Sequence, residues 1–282
     1  MIVVARYAIQ EALRRRVFVV IAVLTALFLV LYALGVNVVF NEFEQRGFVG
    51  PELIEERALV GGTMTGLGMF TVLFLGVVLA VFLTMSTVRG DAERGLLQPL
   101  AVRPLRRSTL LGGRFLAAAL VSGAYVVLVY SAVVLLTDAA GGWSPDRPLT
   151  PALALVAAVA IVVALSLLGS IYLSSSANGI AVFMLFGAGL TAGLLGQIGD
   201  ALDSQDLERI AEISSWALPF EGLYQAGLHQ LTADTSGFTR VAIELGPFGG
   251  AEAASPLLIA WSLAYLAGIG ALAANGFARR DL

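Results

Sequence analysis

Residues 93–115 read ERGLLQPLAVRPLRRSTLLGGRF, an arginine-rich stretch between two long apolar runs, 64–88 and 115–137. The chain around this stretch is apolar and slightly acidic. Of its 282 residues 58% are hydrophobic and 13% are charged, and its formal net charge is −3. A soluble domain carries about 25% charged residues. The composition therefore predicts an integral membrane protein in which this basic stretch lies beside the membrane.

Apolar runs of spanning length divide the chain. A helix needs about 20 mostly apolar residues to cross a bilayer. Six runs qualify: 17–36, 64–88, 115–137, 151–173, 179–198 and 256–277. The first follows three arginines but is too long for a signal peptide, so we interpret it as a retained span. We expect an all-α integral membrane protein with six transmembrane helices, forming one domain over residues 1–282.

The arginines indicate how the spans are oriented, because cytoplasmic segments carry an excess of basic residues. If the N-terminus is cytoplasmic, five of the 17 basic residues fall outside: Arg46, Arg57, Arg147, Arg209 and Arg240. We therefore predict that both termini and the segment 89–114 are cytoplasmic. The outer side then has an acidic loop at 37–63 and a long segment at 199–255.

The long outer segment contains two helix-like pieces, 206–217 and 220–231. The second places Phe220, Leu223, Tyr224 and Leu228 at helical spacing. This pattern favours a helix lying on the outer leaflet or dipping into it. A small packed extracellular cap would fit the pattern equally well.

The N-terminal residues 1–16 also have a helical pattern. Apolar residues fall on one face, and Arg6, Gln10 and Arg14 follow one another at four-residue spacing on another. This predicts an interfacial amphipathic helix with its arginines toward anionic headgroups. A simple orientation signal would explain the charges but not the periodicity.

The segment 89–114 has the features of a short surface helix. Its leucines lie on one side and its arginines on the other, and Pro99 and Pro104 limit its length. Such an element suits docking into a groove on a soluble partner. A loop that only fixes the orientation of the chain is the alternative.

Three stretches resemble the permeases of type 2 ABC exporters, which carry a cytoplasmic coupling helix of the form E-x-G-T-L-x-x-L-L-x-x-P-x-x-R between spans two and three. Leu96 stands where the family has Thr. The stretch ARYAIQEALRRRVFVVIAVLTALF at 5–28 resembles the elbow helix and first span of the family. GFARRDL at 276–282 resembles its F-x-R-R-D-[LF] ending. The residues that match the coupling motif are Glu93, Gly95, Leu97, Pro104, Arg106 or Arg107, Gly113 and Arg114.

Within that family the chain most resembles the branch grouped with multicopper-enzyme maturation. The resemblance implies two permease subunits, as a homodimer rather than a heterodimer, paired with two ATP-binding subunits in the inner or plasma membrane of a prokaryote. No nucleic acid partner is implied. The residues expected to dock on the ATP-binding subunit are Glu93, Arg94, Gly95, Leu96, Leu97, Leu100 and Arg106.

The energy for transport would have to come from the ATP-binding subunit. All 17 basic residues are arginine, and a P-loop needs a lysine that reaches the phosphates. The chain is therefore expected to be no enzyme and to have no cofactor of its own, with ATP and Mg²⁺ bound by the partner.

Other classes of function find little support. The chain has no cysteine, and its single histidine, His229, falls in the outer segment, away from the spans where an intramembrane serine protease needs one. Glu55, Glu56 and Arg57 have the wrong spacing for a prenyl-protease motif, and too few ligands are available for a zinc site. The remaining alternative is a membrane scaffold that transmits ATP-driven motion to an extracytoplasmic partner, including a role in metalloenzyme maturation.

Two further features bear on transport. Gly62, Gly66, Gly189 and Gly193 are candidates for close helix packing or for a dimer face, although glycine is common in spans generally. No span has an ionisable residue at mid-depth, which argues against a proton-driven carrier. A path lined by hydroxyl, amide and aromatic groups would suit an amphiphilic or lipid-like substrate.

Overall fold

The computed structural model describes residues 16–45, 51–85, 107–232 and 255–279. This described part of the chain contains eight α-helices and no strand. The helices are α1 (Arg16–Gln45), α2 (Pro51–Thr84), α3 (Arg107–Gly141), α4 (Leu149–Tyr172), α5 (Ser175–Leu202), α6 (Gln205–Ala217), α7 (Pro219–Thr232) and α8 (Pro256–Ala278).

Six of these helices, α1 to α5 and α8, are long and apolar enough to cross a membrane. The expected all-α membrane protein with six spans is confirmed at this level. The helices extend beyond the apolar runs, however, and most of the predicted loop at 37–63 is helical, because α1 continues to Gln45 and α2 begins at Pro51. Hydropathy identifies only the part of a helix that faces lipid. The backbone hydrogen bonds of the same helix can continue beyond that part into water, so the helix is longer than its apolar run. Proline suits the first helical position because no N–H is needed there.

The order of close contacts along the chain gives the direction of each helix. Gly61 lies against Trp143, Gly68 against Val133 and Gly76 against Val126, so α2 and α3 are antiparallel. A Cβ at Gly68 would lie 2.5 Å from Val133 Cγ1, which shows how closely these two helices approach. Small residues permit such approach, and in lipid close packing is a main source of helix association.

The central spans are α2 and α4, with 61% and 56% of their most apolar windows buried, against 22% in α1 and 17% in α8. The core includes Met69, Val72 and Leu73 of α2 and Leu155 and Val159 of α4. Apolar side chains on the flanking helices are exposed, as expected for surfaces in lipid. A displacement of α2 would therefore be felt across most of the bundle.

The two ends of the bundle are distinguished by the segment that joins α2 to α3. We call the end where α2 finishes and α3 begins the arginine-rich end, after residues 86–106, and the other the opposite end. The α4–α5 turn at Leu173 and Ser174 lies at the arginine-rich end, since Asn178 contacts Met85 there. The α6–α7 hairpin follows α5 at the opposite end.

Candidate functional site

The helical hairpin α6–α7 is the feature that departs most from a plain six-helix bundle. Asp203, at φ 50°, ends α5 in a left-handed conformation and turns the chain into α6. No side chain of α6 is fully buried against the described part of the protein. The following helix α7, in contrast, is buried along nearly its whole length. The hairpin thus has an exposed arm and an inserted arm.

The inserted arm occupies a seat formed by glycines and small residues of the spans. Gly227 of α7 lies against Met69 of α2 and Ala154 of α4, where a Cβ would be 2.6 Å and 3.1 Å away, respectively. Met69 is about 18 Å along α2 from Arg57, the start of the apolar span, at about 1.5 Å per residue. The same Cβ position on Gly227 lies 3.6 Å from Pro151 Cα, near the first residue of α4, so α7 packs between the end parts of the spans. Its burial on most sides distinguishes it from a helix that lies on the membrane surface.

Aromatic rings pack around the inserted arm. Phe220 stacks on Phe186 of α5 with ring centroids 5.6 Å apart, and Tyr224 meets Phe70 of α2 edge-on at 6.4 Å. At the mouth of the hairpin, the indole N–H of Trp261 in α8 donates to the backbone carbonyl of Trp216 at 2.8 Å. Offset and edge-on ring pairs of this kind contribute roughly 0.5–1.5 kcal/mol each beyond their buried area, so the rings help to hold α7 between α2, α5 and α8.

A carboxylate enters the bundle on this arm. Glu221 is 3% exposed and accepts a hydrogen bond from the side-chain amide of Gln225, one turn later. It lies where a Cβ on Gly193 of α5 would stand, about 10 Å from the end of the α5 span at Asp200. The interior of the described bundle therefore holds a carboxylate, and α7 supplies it. The lack of charged residues in the spans was an argument against a proton-driven carrier. The buried carboxylate on α7 removes that argument.

A second polar feature is a set of hydroxyls between α1, α2 and α3. The Tyr32 hydroxyl lies 2.7 Å from Thr137 Oγ1, which is 3.5 Å from Thr65 Oγ1, and Tyr125 lies 2.6 Å from Thr25. The buried Tyr130 hydroxyl has no hydrogen-bond partner within the described ranges. These contacts fix α1, otherwise the loosely buried first span, to α3.

The link through Thr137 can be measured. We expect Thr137→Val to destabilise the folded chain by about 1 kcal/mol, within the range of roughly 0.6–1.7 kcal/mol seen for hydrogen bonds between membrane helices. Thr71→Val is the matched control, because the Thr71 hydroxyl donates to Leu67 of its own helix. Reversible unfolding of both variants in mixed micelles would give the two free energies. Equal effects would contradict a role for Thr137 in joining α1 to α3.

The residues singled out from the sequence fall into two groups. The docking residues and the elbow residues lie outside the described part of the chain, and both assignments stay predictions. They are Glu93, Arg94, Gly95, Leu96, Leu97, Leu100 and Arg106, and Arg6, Gln10 and Arg14.

The four glycines lie within the described ranges. Gly62 is buried in α2. Gly66 faces Leu228, Gly189 faces Phe220 and Gly193 faces Glu221, so these three form part of the seat of α7 within one chain. A role for them between two copies of the chain stays a prediction.

Glu221 and Gln225 were missed because their helix was assigned to an outer loop, where charged residues are unremarkable. Their four-residue spacing, which lets one side chain satisfy the other, is the signal that could have indicated burial. No group of three His, Asp or Glu side chains that could hold a metal ion occurs in the described ranges.

The chain matches no protein-family model and no curated protein.

Proposed function

We propose that the chain is the membrane-spanning permease subunit of an ATP-driven ABC exporter, powered by a separate ATP-binding subunit. Two copies of the chain would pair with two ATP-binding subunits in a prokaryotic plasma membrane, with the arginine-rich end in the cytoplasm. The three family-like stretches of sequence and the six long apolar helices support this assignment.

The position of the coupling-like segment carries the proposal. Residues 86–106 join α2 to α3, which pack on each other as an antiparallel pair, and α2 is the most buried of the six spans. A push on this segment would act directly on the centre of the bundle. An ATP-binding subunit that closes on ATP needs such a point of attachment, because it has to convert its motion into movement of the spans.

The expected substrate is amphiphilic or lipid-like. Among the described residues, the buried polar side chains are hydroxyls, the two amides of Asn178 and Gln225 and one carboxylate, set among apolar and aromatic side chains. Such a lining can hydrogen-bond a headgroup while the large apolar surfaces of the flanking helices accept acyl chains. A free metal ion would instead need several converging oxygen ligands.

Transmission of motion to an extracytoplasmic partner is the second candidate, and α6 favours it. This helix exposes Asp206, Glu208, Arg209 and Glu212 and has no fully buried side chain. Only Leu218 separates it from the buried α7. A partner bound to α6 would therefore sense movement of the spans.

The test of the proposed function is isolation of the tagged chain from native membranes. We expect a P-loop ATPase to co-purify at about one copy per chain, with vanadate-sensitive ATP hydrolysis in the eluate. A chain that is recovered without any ATPase would refute the proposal.

Export and mechanical transmission are then separated in proteoliposomes. A short-chain fluorescent phosphatidylethanolamine should move between leaflets in an ATP-dependent manner, detected by dithionite quenching, if the complex exports lipid-like substrates. Active ATP hydrolysis without such movement would favour the second candidate.

A further inference from the structure

A cluster of polar side chains joins three helices at the arginine-rich end. Asn178, in the first turn of α5, is 0% exposed, and its side-chain N–H group donates to the Ser166 carbonyl at 2.9 Å and to the Met85 carbonyl at 3.4 Å. The hydroxyls of Thr84 and Ser166 lie 2.7 Å apart. We call Thr84, Met85, Ser166 and Asn178 the Asn178 joint; it connects α2, α4 and α5.

The joint uses groups that a helix end leaves unsatisfied. The last carbonyls of a helix have no partner within that helix, and Met85 directly follows the end of α2 at Thr84. The Asn178 amide supplies a donor to one of these carbonyls from a different helix. A buried polar group without a partner costs about 1–3 kcal/mol, so movement of α2 away from α5 is opposed at this point.

Steric fit makes the joint rigid. The other atom of the amide, Asn178 Oδ1, has no hydrogen-bond partner among the described residues and lies where a Cβ on Gly169 would stand. It is thus confined against the backbone of α4, where only glycine leaves room. On the α2 side, Met85 Sδ would be 3.5 Å from a Cβ at Gly179. The amide can neither rotate freely nor withdraw without opening the contact between α4 and α5.

The joint lies where a movement of the arginine-rich segment 86–106 would be passed to the helices. Met85 is the residue at which the chain leaves α2 for the arginine-rich segment 86–106. A displacement of that segment acts first on Met85 and Thr84, which are attached to α4 through Ser166 and to α5 through Asn178. The last turn of α2 therefore cannot move far without moving the corresponding ends of α4 and α5.

We propose that Asn178 is a positioning residue that transmits movement of the segment after Met85 to α4 and α5, so that the three helix ends move as one block. This inference rests on the proposed function, since it needs an ATP-binding subunit to move the segment. It names Asn178 as the residue through which the movement passes, and it assigns α4 and α5 to the part of the bundle that moves.

The test uses the complete complex with its ATPase, and the absence of native cysteine. A single Ser176→Cys, at an exposed position beside the joint, is labelled with a maleimide with and without ATP and vanadate. In the parent chain we expect trapping to change the labelling rate. In Asn178→Leu, which keeps the size of the side chain but not its hydrogen bonds, that change should fall at least fivefold while the ATPase still co-purifies.

Thr84→Val is the milder second variant and decides the question should Asn178→Leu not fold. It removes the Thr84 hydroxyl, which contacts Ser166 and also the Ala80 carbonyl of its own helix. Thr71→Val, the same substitution in the same helix, should leave the nucleotide response unchanged. Full-size responses in both joint variants would overturn the inference while leaving the proposed function intact. A parent chain that binds no ATPase would overturn both, and a parent complex that binds ATPase but shows no response would overturn the inference alone.

Discussion

Gly189→Leu should displace α7 from its seat among the spans. A Cβ at Gly189 would lie 2.6 Å from Cζ of Phe220, whose ring is 1% exposed and stacked on Phe186, so the ring cannot move aside cheaply. Overpacking a well-filled site costs about 1–3 kcal/mol, and the additional leucine carbons would extend further into the ring. We expect α7 to be driven out in a large fraction of molecules, and the proposed transport to be lost with it.

The displacement can be read with one introduced cysteine. Ala226 of α7 is 5% exposed, so Ala226→Cys should resist a water-soluble maleimide in the parent chain and react at least tenfold faster beside Gly189→Leu. Gln205→Cys, on the exposed arm, should label in both backgrounds.

The matched control for this substitution lies two residues away. Gly187 has no atom within 4 Å of its Cβ position among the described residues, so Gly187→Leu should leave Ala226→Cys protected. Equal protection in the Gly187 and Gly189 variants would show that α7 is not seated against α5.

Arg94→Glu and Leu97→Asp should uncouple ATP hydrolysis from transport. The resemblance places both residues on the coupling helix, one supplying charge and the other an apolar contact to the groove of the ATP-binding subunit. Reversal of the charge, or burial of a carboxylate in that groove, should lower transport at least tenfold while the chain remains folded. Ala226→Cys protection reports folding in the same sample.

Arg147→Glu is the control for the charge change. Arg147 is exposed between α3 and α4, on the side opposite to the segment 86–106, and its replacement should leave both ATP hydrolysis and transport near parent values. Normal transport in Arg94→Glu and Leu97→Asp would remove the docking role from this segment. The permease assignment would then depend on the co-purification experiment alone.

The sequence was sufficient for the six spans because apolar length is a local property. It also located α6 and α7 to within a residue, since Pro219 separates two periodic pieces. The packing of α6 and α7 against the spans could not be predicted in this way, because it depends on residues far away in the sequence. The apolar face of α7 indicated that the helix is buried on one side, whereas its burial on nearly all sides depends on glycines more than 25 residues distant in sequence.

Polar residues were harder still to interpret. Glu221 and Asn178 have ordinary sequence surroundings, and only the packing of other helices makes them buried. The glycines were recognised as packing positions, yet the sequence could not say that Gly66, Gly189 and Gly193 face the same helix.

The insertion of α7 also sets an order for biogenesis. With 14 residues the helix is about 21 Å long at about 1.5 Å per residue, too short for a hydrocarbon core of about 30 Å, and it carries Glu221 and Gln225. In the proposed orientation, with the N-terminus in the cytoplasm, the translocation machinery should therefore pass it across the membrane together with the segment before α8. It can fold back only when α2, α4 and α5 are in place, and Leu258 and Trp261 of α8 complete its surroundings last. A nascent chain arrested before α8 should accordingly leave this helix open to protease.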